Sequence, residues 1–352
     1  MKRRSFLATG AVAPAALAAP ALSQGLIEWR CPTAFPANSP GVGHAAQDFV
    51  RRVEALSDGR LRLRLFSAGE LVPAFAVEDA VQNGTAEIGH TTPFFAAGKN
   101  SAVHSFTTVP FGLTWAETIG WMAHGGGQAL MDEVYAQRGL VSFHCGNSTV
   151  SAGGWFRREI RSVADLAGLN MRIASLGGEA LRKLGVNAML LPPTEIFPAF
   201  QSGAIDAAEW VGPVLDQAFG LNRIASICYA PGFHEPGGAM NVVVNRAAWD
   251  GLPPVLRQVL RNAGDAALSA SVAEFEYRNA RAFHDMQAEG VRFLALPPDV
   301  LEALRGAVAE VLEEQAAANP DFARCRDSHD RFLAAARDYA RAFSAPSMMQ
   351  RL

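Results

Sequence analysis

The 352-residue chain has no C-x-x-C pair and no finger-like cysteine spacing, which argues against zinc-finger and thioredoxin-type chemistry. Its four cysteines, Cys31, Cys145, Cys228 and Cys325, are far apart, a pattern that buried free thiols satisfy as well as disulfides of undetermined pairing. Also missing are H-E-x-x-H, G-x-S-x-G, a P-loop and a G-x-G-x-x-G fingerprint, so the common metalloprotease, hydrolase and nucleotide-enzyme signatures are absent. Positive charge is scarce. The 31 Lys and Arg stand against 34 Asp and Glu, a formal net charge of −3, which lacks the basic footprint of a nucleic-acid partner. The apolar run at the N-terminus is too short and too weakly hydrophobic for a membrane span.

What remains is ordinary globular composition, 49% apolar and 18% charged, in a chain long enough for two domains. The first residues read as an export signal: Lys2-Arg3-Arg4-Ser5-Phe6-Leu7 and then an Ala-rich stretch to Leu22. The paired arginines before Phe-Leu resemble a twin-arginine signal, with Ala21-Leu22-Ser23 or Ala16-Leu17-Ala18 as the small-x-small cleavage site. Cleavage after residue 23 removes three positive charges and no negative ones, moving the formal charge from −3 to −6. The mature protein is expected in the periplasm.

The mature chain is organised around Phe200-Gln-Ser-Gly-Ala-Ile-Asp-Ala-Ala-Glu-Trp-Val-Gly-Pro213, where a polar helix end runs into a small-residue strand finishing on Glu209-Trp210. The same pattern occurs at Val81-Gln-Asn-Gly-Thr-Ala-Glu-Ile88, and the two glutamines, Gln82 and Gln201, are 119 residues apart. Two copies of one helix-to-strand unit imply two α/β lobes, each presenting polar groups at the carboxyl end of a strand, where open α/β sheets bind ligands. Lobe 1 is read as residues 24–147 plus 237–275, and lobe 2 as 148–236 plus 290–320. Strands at Leu140–Cys145 and Met240–Asn245 would form the hinge. Apolar positions at three- and four-residue spacing make 253–289 a long bracing helix. Residues 321–352 form a C-terminal helix with Phe332, Leu333, Ala336 and Tyr339 on one face. Nothing follows that face to bury it, which suggests a second copy of the chain as partner.

Within this frame His90, at the end of the first repeat's strand, and Phe94 beyond it are candidates for the cleft or for core packing. Asn147 is read as a crossing point between lobes and, with Ser151 across the cleft, as a substrate-binding candidate. Arg172 lies in an apolar strand and needs a partner, because an unpaired buried guanidinium costs several kcal/mol, on the order of a buried-charge penalty. Its planar fork suits a carboxylate, either a ligand's or that of Glu209. Pro231-Gly-Phe-His-Glu-Pro-Gly-Gly238 is a loop, with His234 and Glu235 on its crown. If Arg172, Glu209, Glu235 and a monocarboxylate converge, one positive charge meets three negative ones, and a hard ion such as sodium or calcium suits the oxygen donors.

Several stretches together resemble the periplasmic solute-binding proteins of tripartite ATP-independent (TRAP) transporters, particularly the 2-oxo acid-binding branch. They are Gly153-Gly-Trp-Phe-Arg157, Leu169-Asn-Met-Arg-Ile173, Ile205-Asp-Ala-Ala-Glu-Trp-Val-Gly-Pro213 and the glycine loop around Glu235. The resemblance implies a periplasmic-binding-protein-like fold closing on a small organic acid, a membrane permease as partner, a swapped dimer and no catalysis. It assigns Arg172 to the substrate carboxylate, Glu209 and Trp210 to a cation and the ligand, and Glu235 to the same site. Ser151 stands where the branch usually has a glutamine, and Phe233-His234 where relatives resemble paired tryptophans. Both departures change the pocket. An exported enzyme and a sensory binding module are the competing classes.

Overall fold

The computed structural model describes residues 25–352, and the export segment expected over residues 1–23 lies outside the described residues. Among the described residues eleven strands are formed: β1 Ile27–Pro32, β2 Leu61–Phe66, β3 Ile88–Thr91, β4 Leu140–Asn147, β5 Gly154–Phe156, β6 Asn170–Arg172, β7 Asn187–Met189, β8 Ala207–Ala208, β9 Ile227–Tyr229, β10 Ala239–Asn245 and β11 Arg292–Leu294. β1 and β2 pair in parallel, and β3, β10 and β4 form an antiparallel sheet in that order. A parallel bridge from Thr33 to His90 ties the two together. The other six form one mixed sheet, ordered β11-β9-β5-β8-β6-β7. The result is a two-lobed α/β fold in which the chain crosses from one group of strands to the other after β4 and returns through β10.

Side-chain patterning explains the sheets. In β2 the leucines Leu61 and Leu63 are buried while Arg62 and Arg64 face solvent, as the alternation Leu-Arg-Leu-Arg-Leu requires. β4 is buried along all eight residues, covered by β10 and by the long helix Pro254–Ala288. That helix packs on Val42–Leu56 beside the first strand group and on Pro213–Ala218 beside the second, so it braces both.

The two sequence repeats fold alike. The helix Val77–Gln82 and the helix Pro193–Ser202 both end at a left-handed glycine, Gly84 (φ 79°) and Gly203 (φ 81°). Ala86 N then donates to Ala80 O at 3.0 Å, and Ile205 N to Ala199 O at 3.3 Å, the same backbone bond 119 residues apart. Each glycine relieves the steric cost of a turn that any Cβ would strain.

Between β3 and β4 the stretch Trp115 to Gln137 folds as two helices, Trp115–His124 and Gly127–Ala136, because Gly126 takes φ 90° and breaks the ladder. One reading changes: the C-terminal helix Pro320–Tyr339 does not await a partner along its length. Phe322, Cys325, His329, Leu333 and Ala336 are buried against the chain's own helices and the turn Ser101–Phe106. Exposed apolar surface begins only at Tyr339 and continues through Phe343, Met348, Met349 and Leu352. Among the described residues no helix is long and apolar enough to cross a membrane.

All four cysteines are free and buried, and burial raises the thiols of Cys31 and Cys325 to about 12. Because the thiolate is the reactive form, Ellman's reagent is expected to find almost no reactive thiol in the native protein and all four in denaturant. Fewer than four in denaturant without reductant would reveal a disulfide.

Candidate functional site

β6 and β8 run in parallel with Arg172 opposite Ala208, and both strands end there. Glu209 therefore emerges beside Arg172 at the carboxyl edge of the sheet. Arg172 Nη1 donates to Glu209 Oε2 at 2.7 Å and also to the Glu209 carbonyl oxygen. Each side chain is 1% exposed, so the internal ion pair that the sequence left open is present. Burial draws the guanidinium pKa below its ordinary value against the opposing pull of Glu209. Removing one partner from such a pair typically costs about 3–5 kcal/mol, since the survivor is left uncompensated. The pair engages only Nη1, and Nε is buried without a partner. The guanidinium thus keeps donors for a guest.

Trp210 lies against this pair, with Arg172 Cζ 5.3 Å from its ring centroid, a cation–π distance. The indole sits 6.5 Å from the Phe35 ring and 5.3 Å from Phe219. Phe35, Phe94, Phe95, Arg172, Trp210 and Glu235 all line one narrow cleft. An aromatic wall around a half-engaged arginine is the chemistry of a site for a small acid with an apolar end.

The glycine-proline loop is not an exposed crown, as the sequence reading had it: His234 is 0% exposed and Glu235 4%. Backbone bonds hold it from both sides. Phe111 N donates to Phe233 O at 2.9 Å, and Trp115 N to Pro236 O at 3.2 Å. From the other side, Ser148 N donates to Gly238 O at 2.9 Å and Ser151 N to Glu235 O at 3.2 Å. A Cβ on Gly237 would come within 2.6 Å of Trp115 Cα, so the close approach requires glycine. Thr108 Oγ1 donates to His234 O at 3.1 Å, and Ser151 Oγ to Glu235 Oε2 at 3.1 Å.

This packing brings three potential ligand groups together. One ligand atom each from Glu209, His234 and Glu235 lie within 4.8 Å of one another. Glu209 Oε1 and His234 Nε2 face each other as a buried ion pair at 3.3 Å, while His234 Nδ1 is buried without a hydrogen-bond partner. Burial and the neighbouring Glu209 push Glu235 up to about 7. For His234, burial lowers the pKa, but the carboxylates of Glu209 and Glu235 together outweigh it and the net shift is upward. Two carboxylates and an imidazole converging in one buried space fit a cation.

Of the residues singled out from sequence, Phe94, Arg172, Trp210 and Glu235 meet at the cleft, with Glu209 clamped to Arg172 and Ser151 bonded to Glu235. His90 does not line the cleft. It is buried behind Phe35, 5.7 Å ring to ring, with Nδ1 3.1 Å from Thr33 Oγ1, and burial drives its pKa down to about 3, leaving it neutral. Asn147 shapes the crossing instead of facing the cleft: its Oδ1 accepts from Thr149 N at 2.8 Å, where Thr149 takes φ 60°. Sequence reasoning gave His234 no ligand role and did not single out Phe35. Its position next to Glu235 was the available signal for the histidine.

A two-lobed α/β fold with a buried arginine and carboxylates beneath an aromatic cleft defines a solute-binding protein. Residues 33–319 match the family model described as "Bacterial extracellular solute-binding protein, family 7", DctP. The chain is 38% identical over 332 residues to the monocarboxylate 2-oxoacid-binding periplasmic protein of Nostoc sp., covering 92% of this chain and 91% of that protein. It superposes on a TRAP transporter solute-binding protein of Bordetella bronchiseptica, described as a dimer with calcium and picolinate bound, at TM-score 0.91 and 35% identity, covering 93% and 97% of the two chains. Against a protein of Colwellia psychrerythraea with bound calcium and pyruvate the TM-score is 0.90 at 34% identity, covering 93% and 100%. Against one of Pseudoalteromonas atlantica with sodium and pyruvate it is 0.88 at 36%, covering 92% and 99%. The chain belongs to the DctP family of TRAP-transporter solute-binding proteins, which are periplasmic binding proteins and not enzymes.

The turn after Trp210 is held by Asp216, whose carboxylate accepts from Trp155 Nε1 at 2.8 Å and from Val211 N at 3.1 Å. Burial raises Asp216 to about 7. Between its unfolded value near 3.8 and about 7 the native state therefore holds a proton that the unfolded chain has lost, and this contribution falls as pH rises through that window. Three imidazoles kept neutral by burial, His90, His104 and His144, act in the opposite sense below about pH 6.5, so only a difference measurement isolates Asp216. Asp216→Asn is expected to lower Tm at pH 5 and to recover relative to wild type by pH 8, read by calorimetry on ligand-free protein. A pH-independent difference would contradict the raised pKa.

Proposed function

We propose that this protein captures a small monocarboxylate in the periplasm, a 2-oxo acid such as pyruvate or a related hydroxy acid, and delivers it to a TRAP membrane permease. The observation that carries the reading is the buried Arg172, engaged by Glu209 through one nitrogen only and opening on an aromatic cleft. In this reading the free side of the guanidinium holds the acid's carboxylate in paired hydrogen bonds, and Trp210 and Phe94 cover its apolar part. The pyruvate and 2-oxo acid named for the relatives support the substrate class. Closure of lobes 24–147 with 237–275 and 148–236 with 290–320 desolvates the pair. A cation held by Glu209 and Glu235, with the Trp210 carbonyl oxygen as a further donor, offsets the negative surplus. The twin-arginine leader takes the chain to the periplasm.

Isothermal titration with pyruvate tests the site. Wild type is expected to bind, and Arg172→Ala to weaken binding at least ~30-fold, the lower end of what losing a buried charge-pair partner costs. Arg172→Lys, which keeps the charge and loses the fork, should fail to restore wild-type affinity. Equal affinity in Arg172→Ala would refute the assignment.

The homodimer belongs to the same proposal, now confined to the end of the tail. Tyr339 and Phe343 stack at 5.0 Å and are each 62% exposed, while Met349 is 69% exposed. An apolar patch of this kind on a helix end points to burial against a second copy, and the Bordetella bronchiseptica relative is described as a dimer. Phe343→Asp combined with Met349→Asp should convert a dimer into a monomer by light scattering without loss of Tm. An unchanged dimer places the interface elsewhere.

A further inference from the structure

We propose that this chain carries a second anion site, separate from the acid cleft, in the groove where Arg305, Arg337 and Arg341 meet the glycine-proline loop. Its ligand class is a small anion with two or more carboxylate or phosphate charges.

The loop Pro231–Gly238 serves two spaces. Glu235 lines the aromatic cleft, whereas Phe233 and Pro236, with Phe111 and the three arginines, line a groove of about 580 Å³. That volume is within the usual range of small-molecule pockets, about 300–1,000 Å³. No residue lines both spaces. Arg305 comes from the helix Pro298–Ala318, Arg337 from the helix Pro320–Tyr339 and Arg341 from the turn Ala340–Ser344 that continues it. The chain's fold thus brings cations from two separate helices to one floor of aromatic rings and proline.

Two of the guanidinium groups are held in place without being neutralised. Arg305 Cζ lies 4.2 Å from the Phe111 ring centroid, a cation–π distance. Arg337 Nη2 donates to the Phe111 carbonyl oxygen at 3.1 Å. A ring face and a carbonyl oxygen fix position but bring no counter-charge, and most of the five N–H donors on each group stay open. Among the described residues only Arg341 of the three meets a carboxylate, that of Asp338 at 3.4 Å, and the two side chains are 78% and 81% exposed. Such a pair holds little. By contrast Arg324, Arg326 and Arg331, the other arginines of Pro320–Tyr339, each hold a carboxylate. The exception on that helix is the arginine that faces the groove. In a chain of net charge −3, the cluster does not follow from general basicity.

Like charges gathered in one groove repel, and an anion placed among them removes the repulsion. Guanidinium forks match the paired oxygens of carboxylate and phosphate. A single negative charge leaves the cluster positive, so a dianion is the better match. The Phe111 and Phe233 rings, 5.7 Å apart, give an organic ligand apolar contact as well.

The test is calorimetric. Wild type saturated with pyruvate is titrated at low salt with glutarate, inorganic phosphate and acetate in turn. One equivalent of glutarate or phosphate is expected, at least ~10-fold tighter than acetate. Arg305→Gln combined with Arg337→Gln should lose at least ~10-fold of that affinity, the lower end of what a lost charged hydrogen bond costs, with pyruvate affinity unchanged. Should the double variant melt early, arginine-labelled wild type decides: glutarate must shift the guanidinium resonances of Arg305 and Arg337. Acetate as tight as glutarate, affinity unchanged in the double variant, or neither dianion bound below ~10 mM overturns the inference. A parallel loss of pyruvate affinity in a well-folded double variant also overturns it, by placing the effect in the cleft. Glutarate binding that depends on Arg305 and Arg337 stands whether or not pyruvate binds, so this site and the acid site fail separately.

Discussion

The site depends on a charge pair taken entirely out of water. Arg172 and Glu209 sit on neighbouring parallel strands whose register leaves no choice but contact. Such a pair is a poor source of stability, because desolvation offsets most of the attraction. Its value lies in what it fixes: a guanidinium held from one side, with its orientation set before any ligand arrives. Pre-orientation of this kind lowers the entropy lost on binding. The pair also sets the local electrostatics, since the same Glu209 that restrains Arg172 raises both His234 and Glu235.

Much of this was legible in the chain. The repeat around Gln82 and Gln201 was visible as text, and it became the same glycine-terminated turn with the same backbone bond. Arg172 was legible because an arginine in an apolar strand has few physical excuses. The long helix followed from periodicity, and β4 and β10 were read as the two strands of the hinge. What sequence could not supply was depth. A loop rich in glycine and proline reads as surface, and nothing local says that segments 100 residues away will enclose it. His234 was passed over for that reason, and His90 was promoted for the converse one. A polar residue at a strand end looks like a cleft group until Phe35 is seen in front of it. The C-terminal helix was legible but the cover over its apolar face was not, because that cover comes from residues 101–136 as well as from 298–318.

The family resemblance and the physical reading supported different parts. Fold and class are carried by the whole chain, whose match to solute-binding proteins spans nearly its full length. Details of the pocket are carried by a few side chains, and there Ser151 and His234 are coupled through Glu235, bonded to one and adjacent in sequence to the other. Substitutions that share a carboxylate are not independent in energy.

The two segments that cross between the lobes are joined by backbone hydrogen bonds, from Ser148 to Gly238, from Ser151 to Glu235 and from Gly232 to Ser151. They are therefore one hydrogen-bonded ribbon, and a shift in either segment is passed to the other through the backbone. Glu235 belongs to that ribbon, whereas Arg172 and Glu209 stand at the ends of β6 and β8. A guest that engaged both would tie the ribbon to the mixed sheet.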